Sequence, residues 1–249
     1  MNRRTGTNLF LSSIFLSMYF ASGVATNSAL ANPVKYNYQI DQFAQAGPHH
    51  IHITDQGMVV EAPKSGAFFQ YSTTQKLITM WSVKQHVYCT LPYQKWITSF
   101  RNLYAAVGWY SELTKPVKST TKRKGNLTYH VYQYRIDAQS PSYWRSDIGH
   151  KEAAEGLQDV ELTTLDLPVF DEAGPIMERI YGMPRLSGFP YSVLRPAMST
   201  LSLSTTKLVA AAADPLVFFK PTAADKKMPF SNQIFGPNFD ENLTKIMLP

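Results

Sequence analysis

Residues 49–91 read HHIHITDQGMVVEAPKSGAFFQYSTTQKLITMWSVKQHVYCTL. Short runs rich in Ile, Val, Phe, Tyr and Thr are broken by steps such as Asp55-Gln56-Gly57 and Lys64-Ser65-Gly66. Side chains that suit a pleated, half-buried surface, interrupted by turn residues, spell successive antiparallel strands. The pattern predicts strands at 34–42, 49–54, 57–62, 67–73, 76–82 and 84–90. Each is of ordinary strand length, and the connections are short enough for a meander.

The period changes after Pro92. Trp96, Phe100, Leu103, Tyr104 and Val107 fall at i, i+4, i+7, i+8 and i+11, one face of a helix running from Pro92 to Val107. Strands return at 116–123 and 127–136, joined at Gly125-Asn126. The basic run Lys122-Arg123-Lys124 therefore reads as a hairpin tip rather than a phosphate-binding patch. Residues 138–156 read as loop, with a further strand at 158–164. A second helix is expected over 171–181, with Ile176, Met177, Ile180 and Tyr181 on its apolar side. Strands at 189–195, 198–206 and 215–220 follow, and the tail from about Asp225 reads as loosely packed.

The N-terminus has a different character. Arg3 and Arg4 precede the apolar stretch Leu9–Ala25, and Ala29-Leu30-Ala31 is a small-x-small site. That is the layout of a secretory signal peptide cleaved after Ala31. The stretch is short for a bilayer span of about 20 residues. Residues 1–31 are thus expected to be a signal, and 32–249 one β-rich domain with no transmembrane segment after cleavage, placing the protein in a periplasmic or extracellular compartment. N-terminal sequencing of the exported protein should begin at Asn32; a product that retains Leu9–Ala25 would mean a membrane anchor instead.

Composition supports a packed β-domain. Aromatic residues make up 13% of the chain and charged residues 17%. A net charge of +6, two units of it in the signal, is too mild to mark a nucleic-acid binder. The single Cys89 excludes an intramolecular disulfide and, within an alternating strand, reads as a buried inert thiol. Asp171-Glu172 reads as solvated charge.

Three stretches resemble the superfamily of LolA, LolB and LppX-like periplasmic carriers of lipids and lipoproteins. They are the strands ending in TMWSVKQHVYCTLP (79–92), the helix after Pro92, and Tyr181–Pro221. The last holds turns at Gly182-Met183-Pro184 and Gly188-Phe189-Pro190, then TLSLSTTKL (200–208) and PLVFFKP (215–221). The resemblance implies a mainly β (α+β) fold, a half-open antiparallel β-barrel with one or two helices packed on its concave face. It brings no catalytic signature and no cofactor. It implies an apolar ligand such as a lipid or lipoprotein acyl chain, and Trp81, Trp96, Phe100, Leu103 and Val107 are the candidate lining. The alternative is a structural or envelope-interaction protein of the same fold, its partner another envelope protein, with that helix face as plain core.

The sequence offers little enzyme chemistry. There is no nucleophile elbow, Walker loop or dinucleotide fingerprint. His49, His50 and His52 are the one cluster of metal-ligand types; His50 and His52 would share a strand face. A zinc site needs three or four ligands, and no Cys lies close by in sequence, so these read as incidental surface histidines and no metal is expected. His86 and His130 fall within expected strands. His50, His52 and His130 are the group that an enzyme would have to use.

Overall fold

A computed structural model describes residues 36–44, 46–99, 113, 115–137, 157–195, 200–210 and 216–229. All lie in the compact unit that begins at Pro33. The expected signal peptide, the loop at 138–156, and Phe100, Leu103 and Val107 lie outside the described residues.

The fold is mostly β. Six strands follow one another as a meander: β1 (Asn37–Ala44), β2 (Gly47–Thr54), β3 (Gly57–Ala62), β4 (Ala67–Ser72), β5 (Leu77–Ser82) and β6 (Val87–Pro92). Helix α1 (Tyr93–Ser99) follows directly, then β7 (Lys118–Lys124), β8 (Leu127–Asp137) and β9 (Leu157–Leu165). Helix α2 (Ala173–Tyr181) separates β9 from β10 (Phe189–Arg195), which leads to β11 (Thr200–Ala210) and the two-residue β12 (Lys226–Lys227). These strands form one 12-stranded sheet in the order β12-β6-β5-β4-β3-β2-β1-β11-β10-β9-β8-β7. Two meanders thus meet where β1 pairs with β11. All pairs are antiparallel except β12 on β6, and the sheet does not close, because β12 and β7 are its two edges.

The turns explain where the strands stop. The connections of β3 to β4, β4 to β5 and β5 to β6 each carry a residue in the left-handed region: Gly66 (φ 68°), Lys76 (φ 53°) and His86 (φ 52°). Only the first is a glycine, the residue that adopts this conformation without a Cβ clash. Lys76 and His86 therefore sit in turns and not in the strands expected to contain them.

Several strands grip α2 from different directions. Just ahead of the helix, Glu172 accepts a 2.7 Å hydrogen bond from Lys76 Nζ, in the turn leading into β5. At its end, Tyr181 donates its hydroxyl proton to Gln42 Oε1 on β1 at 2.6 Å, and its ring meets His49 of β2 edge-on at 5.5 Å. The helix also packs on β10. In a flat sheet β5 and β10, six places apart, would be about 29 Å from one another, while a helix of this length spans about 14 Å. The sheet is therefore bent around α2. One core cluster joins residues of both meanders to it, including Ile53, Met58, Phe69, Met80, Leu162, Val193, Ile176 and Tyr181. Gly182, in the left-handed conformation, ends the helix, and the N–H of Met183 bonds back to Glu178 O.

The opposite face of the sheet is covered locally by Leu216–Thr222, and the described part of the strand expected at 215–220, residues 216–220, is not in a strand. Gln70 clamps this segment reciprocally: its Oε1 accepts from Phe219 N at 2.9 Å and its Nε2 donates to Phe219 O at 3.3 Å. The tail then adds β12 to the edge of β6, with Lys226 N bonded to His86 O and Met228 N to Tyr88 O. Lys226 and Met228 are thus bonded to the sheet edge, while the tail from 230 lies outside the described residues. Both sheet edges carry positive charge, Lys118, Lys122, Arg123 and Lys124 on β7 and Lys226 and Lys227 on β12, which discourages edge-to-edge pairing.

Candidate functional site

Of the expected lining residues, the two that are described, Trp81 and Trp96, do not share one face. Met80 and Trp81 are neighbours on β5 and so point to opposite sides of the sheet. Met80 faces the core, where its Sδ accepts the indole N–H of Trp96 at 3.3 Å. Trp96 is 0% exposed and seats α1 against the sheet. Trp81 lies on the other side, between Phe68 (ring centroids 4.5 Å) and Phe219 (3.5 Å). It cannot line a space in common with Trp96. Cys89 is buried in the core, and burial pushes its thiol up to about 12, so it supplies no thiolate near neutral pH.

The histidines divide in the same way. His50 and His52 do share the outward face of β2, as expected. His49 is not a surface residue: it points inward and is fully buried, and burial pushes its imidazole down to about 4. His50 Nδ1 lies 2.8 Å from Asp41 Oδ1, and His52 Nε2 lies 2.8 Å from Asn37 Oδ1. Among the described residues, no group of three His, Cys, Asp or Glu side chains is placed to hold a metal. His130 stands between Thr121 Oγ1 (3.2 Å) and Asp166 Oδ1 (2.9 Å). That row of hydroxyl, imidazole and carboxylate crosses the exposed β7–β8 edge. It is far from His50 and His52, because β1, β11, β10 and β9 lie between β2 and β8.

Helix α2 instead organises the most suggestive feature. Two loops flank it, 166–172 before and 182–188 after, and a cleft of about 590 Å³ opens between them. Its wall is mixed: Leu167, Val169, Phe170, Leu186 and Phe189 supply apolar surface, and Asp166, Asp171 and Arg185 supply the charged groups. Its floor depends on two glycines: a Cβ on Gly174 would sit 2.7 Å from Gly188 O, so any side chain there would push helix and loop apart. Both loops are anchored. Lys76 holds Glu172, with Tyr71 under the ammonium at 5.9 Å from the ring centre. Burial works to raise Glu172, but the hydrogen bonds it accepts, led by that from Lys76, hold it below the usual carboxylate range. Phe170 packs on Tyr71 at 5.3 Å between ring centres.

The second loop is held by a buried carboxylate. Glu178 is 3% exposed. Its Oε1 accepts from Leu186 N at 2.7 Å, and its Oε2 lies 3.8 Å from Arg185 Nε. Burial pushes it up to about 7, against the pull of Leu186 N–H and Arg185. Tyr134 on β8 and Tyr93 on α1 face it from the other packed elements, and each is raised by its own burial. Nothing in the sequence flagged Glu178 or Arg185. The one available signal was a charged residue on the helix side next to Met177, an odd position for a solvated glutamate.

No family model matches the chain, and no curated protein matches it; no enzyme family or catalytic relative is therefore found. Among solved structures, an uncharacterized conserved protein from Thermus thermophilus is similar over 78% of this chain and 91% of its own, at 11% identity and a TM-score of 0.35. That likeness assigns neither a fold family nor a function.

Proposed function

We propose that the protein is an exported, non-catalytic binding protein of the LolA, LolB and LppX-like kind, a half-barrel that holds an apolar ligand such as a lipid or lipoprotein acyl chain. The observation that carries this reading is the cleft beside α2, where Leu167, Val169, Phe170, Leu186 and Phe189 stand beside three charged side chains. Its volume of about 590 Å³ falls within the range of about 300–1,000 Å³ usual for small-molecule sites. An open sheet bent around a helix leaves such a space beside the helix, between its flanking loops. Burying acyl methylenes at about 0.8 kcal/mol each supplies the binding energy. The ligand lies against Leu167, Phe170 and Leu186 in this reading, rather than against the side of Trp96.

A specific observation favours a second reading, a structural or envelope-interaction protein without ligand. The described interior is filled, with Trp96, Tyr181 and Met80 all at 0% exposure. Native mass spectrometry of protein taken from the exported fraction separates the two. We expect an adduct in the mass range of a lipid, lost on organic extraction and restored by adding back a fatty acid. Bare protein that also fails to take up a fluorescent fatty acid would leave the structural reading.

A further inference from the structure

We infer that the cleft between 166–171 and 185–189 binds the head of a single-chain anionic amphiphile, with Arg185 as the counter-ion. This rests on the apolar-ligand reading and adds the ligand's charge and the end of the chain that is recognised. Arg185 is the only cation among the described residues lining the cleft, and two-thirds of its side chain is exposed there. Its neighbour Glu178 stands 3.8 Å from Nε, beyond hydrogen-bond length, and the Tyr93 hydroxyl engages one part of a group that carries five N–H donors. The guanidinium fork thus keeps donors for a second anion. The acids of the lining compete weakly: Asp166 is already bonded to His130, and Asp171 lies at an exposed rim position. Leu167, Val169, Phe170 and Leu186 continue from Arg185 as the apolar part of the wall, so a charged head at the arginine leaves its first methylenes against carbon. Carboxylate and phosphate heads share this chemistry.

The test uses the mature protein with dodecanoate, dodecyl phosphate and dodecanol, titrated at low salt and pH 8. Both anions should bind about tenfold more tightly than the neutral alcohol, a difference of about 1.4 kcal/mol. Arg185→Met should erase that difference while dodecanol binding persists, and Arg185→Lys should keep part of it. Glu178→Gln, which removes the neighbouring negative charge, should raise the preference for both anions over dodecanol about threefold. The tighter of the two anions identifies the head group. Equal binding of all three ligands, or an anion preference that survives Arg185→Met, would overturn the assignment of Arg185 and leave the apolar-ligand reading standing. No binding of any of the three would overturn both.

Discussion

Truncating Trp96 to alanine is expected to lower the unfolding free energy by about 3–5 kcal/mol, the usual cost of deleting a large buried aromatic. The indole is fully buried and its N–H is directed at Met80 Sδ, so the surrounding strands cannot close over the void without dragging α1 with them. Trp96→Phe keeps most of the volume and should cost much less. Urea unfolding of both variants, with the slope checked for constancy, measures this. The experiment also bears on function. A loss under about 1 kcal/mol, with a gain of fatty-acid uptake in the alanine variant, would mean that the indole merely fills a ligand space. The helix face beginning at Trp96 would then return as the lining, and the cleft beside α2 would lose its place.

The difference between those outcomes is also the difference between what sequence could and could not reveal. Alternation and turn chemistry are local, so the hairpins from β1 to β6 and from β7 to β8 were legible, as was the inward side of α2. Boundaries failed where the signal was atypical: Lys76 and His86 take a conformation usually given to glycine, and nothing in their identity announces it. The two faces of β5 failed for another reason. Alternation separates Met80 from Trp81, but whether the outer face is wet depends on Phe219, well over a hundred residues further along the chain. His49 is the same case inside the sheet, since its burial follows from Tyr181 crossing β2. The cleft was illegible altogether. It is made by two aperiodic loops brought together by the close approach of Gly174 to Gly188.

Glu178 and His49 should give the protein's stability two opposing pH dependences, which substitution will separate. Glu178 rises from 4.5 to about 7 on folding, so the native state holds its proton more tightly. Its folded-state advantage is present at low pH and is lost as pH rises from about 4.5 through 7. A shift of that size corresponds to about 3 kcal/mol at 1.36 kcal/mol per unit. His49 falls from 6.5 to about 4; its neutral ring suits the core, and that stability is lost as pH falls from about 6.5 through 4. Between about 4.5 and 6.5 the two slopes cancel, and above 6.5 the penalty of the ionised Glu178 stands alone. Glu178→Gln keeps an acceptor for Leu186 N–H and removes the charge. At pH 8 it should stabilise the protein by up to about 3 kcal/mol, an advantage that shrinks towards zero near pH 4.5. The same variant should expose the acid sensitivity of His49, losing stability steadily below pH 6.5 where the parent protein stays nearly level. Urea midpoints measured from pH 4.5 to 8 test both halves. A Glu178→Gln protein less stable than its parent at pH 8 would show that the Arg185 and Leu186 contacts outweigh burial. The carboxylate would then act as a strut of the cleft and not as a cost carried for it.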